Sequence, residues 1–510
     1  MEVAHVLRSF PLRDRLVPVV LALLLLPGRV ETEGNAPDAG GAAPRITLFV
    51  TADLRGQLTP CGCTLAMRGG LARAAAMLAR ERTAGVPVVY LDGGDALFGR
   101  GGLGPEEVVE EERKARALAE ALRTMGIDVQ APGPLDDVQG PAFRRRLDLP
   151  ELAPGAGRLL RAGGRTLGVV AARSAAELSR GGSRLRQAGA AFVVGLYAGP
   201  LDQAVSSVRG LDSVDLVVAA QDPAPASESD DGRLVRADVP VARLPSRGRA
   251  LLRVDLVFDG AGRFRLERSP EDVERQAAVL DERIALLTRE VALPGQDPER
   301  RRLLVSRLGA LVEQRAALAP APPLAGMNGF TVRLLPLEST LPSDPAVDAV
   351  VSAFDRDVSA LNLAWARAHG RDCPPPDRGE AAYVGNAACQ SCHAAAFAVY
   401  ERTGHARAYR TLEEVQKQYR LECVACHVVG IQQPGGVCRV DRVSGRDAVG
   451  CENCHGPGSL HVAQPAVQPM GRTTPDRAVC TGCHTPENSP QFDLGLYLPR
   501  VLGPGHGAKR

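Results

Sequence analysis

Histidine is absent from most of this 510-residue chain, and that absence bounds its chemistry. None occurs between His5 and His369, so a metal site in that stretch would have to use other ligands. Lysine is also scarce, since all but three of the 61 basic residues are arginine, a bias that we attribute to genome composition. The formal net charge of +2 gives no reason to expect nucleic acid as a partner.

Long apolar runs are absent as well, except near the N-terminus. There, three arginines precede the run from Leu16 to Pro27, which is typical of an export signal but too short to span a bilayer comfortably. No cysteine follows closely, which argues against a lipoprotein anchor, and no clear cleavage site is visible, which leaves anchoring by an uncleaved signal open. We therefore predict a periplasmic protein, free or membrane-associated, with a signal and flexible leader over residues 1–44.

Cysteine is concentrated near the C-terminus in a repeated pattern. The pentad Cys-x-x-Cys-His occurs four times and is the attachment signature of a c-type haem, in which two thioether bonds hold the porphyrin and the histidine binds the iron. Zinc or disulfides are the alternative, but zinc needs four tetrahedral ligands and no histidine directly after the second cysteine. We predict four covalent c-type haems, held by these motifs: Cys389, Cys392 and His393; Cys423, Cys426 and His427; Cys451, Cys454 and His455; Cys480, Cys483 and His484.

Four histidines remain outside these motifs and the N-terminal segment, which matches the number of sixth iron ligands that four haems need. His405 and His461 are the favoured distal ligands; His461 follows a Gly-Pro-Gly-Ser turn that could fold back onto a neighbouring porphyrin. For His369 and His506 a distal ligand and a solvated surface histidine are both open. Two histidines at every haem would give closed irons suited to electron transfer, whereas a missing ligand would open a site to small molecules.

Residues 45–270 alternate apolar runs with helical stretches. Runs such as ITLFV, VPVVYLD and AAFVVGLY are continuous, so we expect strands that are buried on both faces. The later runs LLRVDLVFD and RFRLER alternate and indicate antiparallel strands. The pattern predicts an α/β layered domain.

Three further regions make the chain multidomain. Residues 271–320 carry apolar positions spaced by three and four around a Pro-Gly turn, which predicts a helical hairpin whose second helix starts at Asp297 and Pro298. The hairpin would be a spacer or dimer arm, or else would pack on the first domain. Residues 321–380 predict a strand, a helix and a Pro-rich linker, and residues 381–510 predict a mainly α or irregular haem domain.

Five segments of the haem region carry a family resemblance: YVGNAACQSCH, RTGHARAYRTL, LECVACHVVG, VGCENCHGPGSLH and CTGCHTPENSPQFDLGLYLP. They resemble the multihaem cytochromes of the c-554 type, over about residues 381–506. The resemblance implies that His405 and His461 are axial ligands. It also implies periplasmic electron transfer, tied in some members to the oxidation or reduction of nitrogen compounds.

The first domain carries a second resemblance. The stretch ITLFVTADLRGQLTPCGCTLAMRGGLARAAAML, followed by VVYLDGGDALFG, resembles metallophosphoesterases of the 5'-nucleotidase type over roughly residues 45–260. That family places Asp-x-His after the first strand, an aspartate in a Gly-Asp turn after the second, Asn-His in a third loop and further histidines near the end of the domain. Two metals held by such ligands would activate water for attack on a phosphoester.

This chain keeps only the carboxylates Asp53 and Asp95 of that ligand set. The departures are Arg55 for the first histidine, Pro134 and Leu135 for the Asn-His pair, and Gln221 and Pro223 for the terminal histidines. Two carboxylates cannot by themselves build the usual dinuclear site. We therefore expect a metallophosphoesterase-like layered sandwich whose hydrolase chemistry has been lost.

Four cysteines lie outside the haem motifs. Cys61 and Cys63 follow Asp53 in the loop PCGC, where they could form a redox-active disulfide or bind a soft metal. A thiol pair without a catalytic role is also open. Cys373 and Cys438 are expected to pair with each other in an oxidising compartment.

These features favour an electron-transfer protein over a hydrolase. We predict a tetrahaem cytochrome fused to a degenerate phosphoesterase-like domain that serves as scaffold or thiol-redox partner. The expected partners are redox proteins, such as other cytochromes or a quinol oxidase, and a second copy of the chain if the hairpin is a dimer arm. The alternatives are a haem oxidoreductase acting on a small nitrogen or sulfur compound and a nucleotidase-type hydrolase that retains activity.

Overall fold

The computed structural model describes residues 45–60, 67–220, 232–267, 270–292, 297–316, 318, 326–473, 475–485, 488–489 and 492–502. Several predictions fall outside these residues: the export signal and leader of residues 1–44, the loop cysteines Cys61 and Cys63, the substituted positions Gln221 and Pro223, and His506.

The strands lie in the first part of the chain. In chain order they are β1, Arg45–Thr51; β2, Val88–Asp92; β3, Val129–Gln130; β4, Gly157–Ala162; β5, Arg165–Ala172; β6, Phe192–Tyr197; β7, Leu216–Ala219; β8, Arg233–Val235; β9, Val241–Arg243; β10, Ala250–Val257; β11, Arg265–Leu266; and β12, Gly329–Pro336.

The helices run through the whole described chain. They are α1, Leu71–Thr83; α2, Pro105–Thr124; α3, Gly140–Arg145; α4, Ala175–Gln187; α5, Leu201–Ser207; α6, Pro270–Val291; α7, Pro298–Ala316; α8, Pro345–His369; α9, Ala387–Gln390; α10, Ala394–Tyr400; α11, Ala408–Glu414; α12, Leu421–His427; α13, Cys451–His455; α14, Ser459–Ala463; α15, Arg477–Thr481; and α16, Leu494–Tyr497.

Two six-stranded sheets form the first domain. The first has the order β11-β12-β10-β1-β2-β3, in which β1, β2 and β3 are parallel and β10 is antiparallel to both β1 and β12. The second has the order β4-β5-β6-β7-β9-β8, with a parallel centre and an antiparallel pair at each edge. Because β1 and β2 are buried along nearly their whole length, their continuous apolar runs correctly indicated central strands.

Side-chain alternation on β1 explains how the layers stack. Leu48 and Val50 point into a core shared by the two sheets, while Phe49 packs on the other side among residues of α1, α2 and α8. Residues of α4 and α5 cover the outer face of the second sheet. The result is a helix–sheet–sheet–helix sandwich, which confirms the predicted α/β layered fold.

An ion cluster ties the first sheet to α1. The Arg253 guanidinium donates from Nη1 and Nη2 to the two carboxylate oxygens of Glu81 at 2.6 and 3.0 Å, and from Nε to Asp255 Oδ2 at 2.8 Å. Asp255 also accepts a hydrogen bond from Thr47 and pairs with Arg45. All of these residues except Arg45 are buried, so each charge depends on its partners.

The predicted helical hairpin is present as α6 and α7, which pack on each other. The Asp297 side chain accepts hydrogen bonds from the amides of Glu299 and Arg300 and so starts the second helix. An ion pair between Arg315 and Asp281 at 2.9 Å joins the two helices.

The strand and helix of residues 321–380 join the first domain. β12 pairs with β10 along its whole length, and α8 packs against α1 and α2. After α8, a disulfide between Cys373 and Cys438 fastens the Pro-rich segment to the haem region, which confirms the pairing expected for these cysteines.

The haem region consists of short helices and irregular segments, and its described residues contain no strand. Its apolar core is small and includes Tyr409, Leu412 and Val424. The mainly α or irregular architecture expected from the sequence is therefore confirmed. In the part of the chain that the structure describes, no helix has the length and hydropathy needed to cross a membrane.

Candidate functional site

The four attachment motifs lie on or beside short helices. In α12 and α13 both cysteines and the histidine of a motif belong to one helix, so the two thiols, three residues apart, lie on the same side. The structure joins none of the eight motif cysteines in a disulfide. Within the described residues, no group of three or more His, Cys, Asp or Glu side chains is arranged to hold a metal ion.

Two motif histidines face two of the predicted distal histidines. The ring centroids of His393 and His461 are 6.2 Å apart with an interplanar angle of 30°. Those of His484 and His405 are 6.1 Å apart at 44°. Two imidazole nitrogens, each about 2 Å from a shared metal ion, set the ring centres roughly 6 Å apart. Both pairs therefore have the spacing that one haem iron between two histidines requires.

Hydrogen bonds orient several of these imidazoles. Backbone carbonyls accept from Nδ1 of His427 at 2.5 Å, of His455 at 2.7 Å and of His461 at 2.7 Å. Because a carbonyl only accepts, Nδ1 carries the proton and Nε2 keeps its lone pair for a metal. Nδ1 of His484 lies 2.9 Å from the Ser489 hydroxyl, which can act in the same way.

The pKa values of His405 and His484 are also shifted in the direction that suits metal binding. Burial lowers the pKa of His405, and the neighbouring His484 lowers it further. Burial lowers the pKa of His484 as well, and its ring stacks on Phe492 at 4.4 Å. In both histidines the lowered pKa favours the neutral imidazole, which is the form that binds a metal.

Of the other two predicted distal ligands, the structure describes only His369, and it does not bring that side chain to a motif. His369 is exposed at the end of α8, where its ring lies 5.6 Å from that of Trp365, and His506 lies outside the described residues. In the described part of the chain, no histidine ring faces His427.

Contacts between thiols order the motifs in space. Cys389 of the first motif lies within hydrogen-bonding reach of Cys451 of the third, and Cys426 of the second lies within reach of Cys483 of the fourth. Helix α13 of the third motif packs against α15 of the fourth. The motifs therefore adjoin in the order first, third, fourth, second.

Sequence reasoning missed the buried polar residues that hold the third motif. The carboxylate of Glu452, between the motif cysteines, accepts hydrogen bonds from the amides of Val384, Gly385 and Gly458 at 2.7–3.1 Å. Asn386 accepts one from the Cys451 amide at 2.9 Å. An acidic residue inside an attachment motif was the available signal, but two of its three partners, Val384 and Gly385, lie 68 and 67 positions away in the chain.

An arginine pairs with Asp53, the first of the two carboxylates singled out in the sequence of the first domain. Arg55 Nε donates to Asp53 Oδ1 at 2.7 Å, and both residues have positive φ, at 49° and 53°. Asp53 is buried, so the guanidinium stabilises its negative charge. Arg55 therefore neutralises the buried Asp53 carboxylate.

The second retained carboxylate, Asp95, is engaged by the backbone. Its Oδ1 accepts from the amide of Leu135 at 2.7 Å. Burial raises the pKa of Asp95 to about 7, and the Asp136 carboxylate adds to the effect. Asp136, which the sequence analysis did not single out, accepts from four backbone amides at 2.8–2.9 Å and locks the surrounding loops.

Comparison with known proteins identifies the class of the C-terminal region. Residues 388–456, which hold the first three attachment motifs, match the family model for cytochrome c554 and c-prime. Cytochrome c-554 of Nitrosomonas europaea is 29% identical over 137 residues, covering 21% of this chain and 58% of that relative. The chain thus spans little more than half of that relative's length. The expected c-554 resemblance is confirmed, and a cytochrome c family implies covalently bound haem.

Among solved structures, the chain is similar to two proteins of Thermus thermophilus. The 5'-nucleotidase precursor has a TM-score of 0.42 and 14% identity, covering 62% of this chain and 59% of that chain. The sulfate thiohydrolase SoxB in complex with glycerol has a TM-score of 0.40 and 16% identity, covering 66% of this chain and 63% of that chain.

Replacement of Arg55 by Met should destabilise the first domain. Asp53 would lose a guanidinium partner in a buried position, so we expect the free energy of unfolding in urea to fall by about 2 kcal/mol. The exposed pair of Arg100 and Glu107 offers a control, since Arg100→Met should change stability by less than about 0.5 kcal/mol. Elemental analysis of the wild type should find no stoichiometric manganese or zinc. Equal stability of Arg55→Met and wild type, or two such metals per chain, would contradict this account.

Asp92, at the end of β2, should make stability depend on pH. Burial raises its pKa to about 8, and Asp136 adds to the rise. The folded state then keeps a proton that the unfolded state releases above pH about 4, so stability from this group falls as pH rises from about 4 to 8. Asp92→Asn should flatten that fall in chemical unfolding curves, whereas Asp148→Asn on the surface should not. Parallel pH profiles for Asp92→Asn and wild type would refute the assignment.

Proposed function

We propose that the chain is a periplasmic tetrahaem c-type cytochrome that transfers electrons, joined to a phosphoesterase-like domain that has lost hydrolysis and serves as its scaffold. The observation that carries this proposal is the pair of facing histidines at about 6 Å in two places, His393 with His461 and His484 with His405. Each pair is consistent with a closed iron, which favours electron transfer over binding of a substrate.

Each attachment motif would hold one haem, through two cysteine thioethers and the following histidine. Covalently bound haem supplies one-electron redox chemistry. The chain's own part is to orient the imidazoles by the carbonyl contacts at Nδ1 and to bring the attachment sites next to one another in the order first, third, fourth, second. Adjacent sites are what an electron carrier needs.

The partners that fit this role are redox proteins, such as other cytochromes or a quinol oxidase, and not nucleic acid. Association with a membrane through residues 1–44 and a homodimer through the hairpin of α6 and α7 are part of the proposal. Apolar residues on the hairpin, among them Leu286 and Leu303, are 57% and 70% exposed, which favours a dimer arm. Cys61 and Cys63 are assigned a thiol-redox role, which would be lost in Cys61→Ser with the haem spectrum unchanged.

Removal of a distal histidine should open one iron. We expect His461→Ala and His405→Ala each to convert one of four low-spin haems into a high-spin haem in low-temperature EPR spectra, because each side chain faces a motif histidine. His369→Ala is the matched control and should leave the spectrum unchanged, since His369 faces Trp365 instead. Haem and iron counts on the same samples should give four per chain. Unchanged spin states in both variants, or fewer haems, would contradict the proposal.

A second candidate function is a haem oxidoreductase acting on a small nitrogen or sulfur compound. It is favoured by one observation, that His427 has no facing histidine ring in the described part of the chain. If this is the function, the reduced wild type should bind carbon monoxide at one of its four haems, measured by the change in Soret absorbance. His461→Ala should double the fraction that binds. A wild type that binds no carbon monoxide would leave electron transfer as the function.

A further inference from the structure

A buried charge cluster joins the first domain to the second attachment motif. Arg420, whose side chain is 5% exposed, donates from Nε to Glu110 Oε1 of α2 at 2.9 Å and from Nη1 to Asp355 of α8 at 2.6 Å. Its guanidinium lies 4.7 Å from the centre of the Phe354 ring. Glu110 Oε2 accepts from Asn362 Nδ2 at 2.6 Å, and this amide also donates to the Tyr419 carbonyl.

A lysine of α2 extends this cluster. Lys114, with a side chain 7% exposed, pairs with Glu111 and, at 3.0 Å, with Glu422. Glu422 also pairs with Arg420. Burial opposes the charge of Lys114, but Glu422 and Glu111 outweigh it and raise the pKa of the lysine, so it stays protonated.

The cluster is placed where it can control α12. Arg420 directly precedes that helix, Glu422 lies in its first turn, and Cys423, Cys426 and His427 follow on the same seven residues. The Glu110 carboxylate also accepts from the amide of Leu421 at 3.3 Å. The Glu110 carboxylate and the Lys114 ammonium group, both on α2, therefore contact the N-terminal end of α12, which carries the second motif.

The contacts of Lys114 extend to the loop that follows β1 and holds Asp53, Arg55 and Gly56. The side chain of Lys114 packs so close to Gly56 that a Cβ there would lie 3.3 Å from Lys114 Cδ. Gly56 follows Arg55 and has a φ of 71°, which suits glycine. The loop that would hold metal in a hydrolase is thus part of the support for the second attachment motif.

We propose that Glu110 and Lys114 are positioning residues for the second attachment motif and that their charges set the reduction potential of the haem held there. The inference rests on the proposed function. It gives the first domain a role in electron transfer that does not depend on its lost chemistry, since it supplies both side chains.

Opposite charges predict opposite shifts. Reduction adds one electron, so a more positive surrounding favours the reduced form. Glu110→Gln removes a negative charge beside Arg420 and should raise one of the four midpoint potentials. Lys114→Met removes a positive charge beside Glu422 and should lower the same one. A merely structural role would shift both variants in one direction, or would move no potential at all.

The test is a spectroelectrochemical titration of the full-length, haem-loaded protein, with haem counted on each sample. Lys114→Arg keeps the charge and should restore the wild-type potential. Glu81→Gln is the matched control, because it removes a buried carboxylate from Arg253 in the same domain. It should lower the free energy of unfolding and leave all four potentials in place.

The outcomes separate the two proposals. A wild-type chain with fewer than four haems would overturn the proposed function, and this inference with it. A loaded wild type whose potentials stay the same in Glu110→Gln and Lys114→Met, or shift in the same direction in both, would overturn the inference alone. If Glu110→Gln fails to fold, the two lysine variants decide the question. Lys114→Met should lower one midpoint potential, and Lys114→Arg should keep that potential at its wild-type value.

Discussion

The buried pairing of Arg420 with Glu110 and Asp355 is the constraint on which the arrangement of this protein depends. A guanidinium that is almost fully enclosed is tolerated only when its partners stay in place, since breaking a buried pair costs several kcal/mol. Glu110 belongs to α2 and Asp355 to α8, and both helices also cover the first sheet. The haem region has only a small apolar core of its own, so contacts with the first domain and the Cys373–Cys438 disulfide help to hold it.

Charge pairing also stabilises the carboxylates near the ends of the central strands in the first domain. Here Arg55 neutralises Asp53, backbone amides satisfy Asp136, and burial raises the pKa of Asp95 and Asp92 so that their protonated forms are favoured. Each of these buried carboxylates is thus paired with a cation, bonded to backbone amides or kept protonated.

Much of the fold followed from patterns in the sequence. Continuous apolar runs marked β1, β2 and β6, and the spacing around Asp297 predicted the hairpin. The sequence pattern did not predict the short strands β3, β8 and β9, because segments of two or three residues carry no periodicity. β12 gave a clear strand pattern, but its place beside β10 depends on pairing between residues about 80 positions apart, which local sequence does not encode.

For the candidate site, the sequence by itself determined which residues can attach haem, because the spacing of two thiols and a histidine is local and covalent chemistry imposes it. It also determined that the first domain lacks the histidines of a dinuclear metal site. Only the tertiary structure decided which distal histidine faces which motif and which buried charges hold α12. Those relations join residues tens to hundreds of positions apart, and they exist only when packing brings the side chains together.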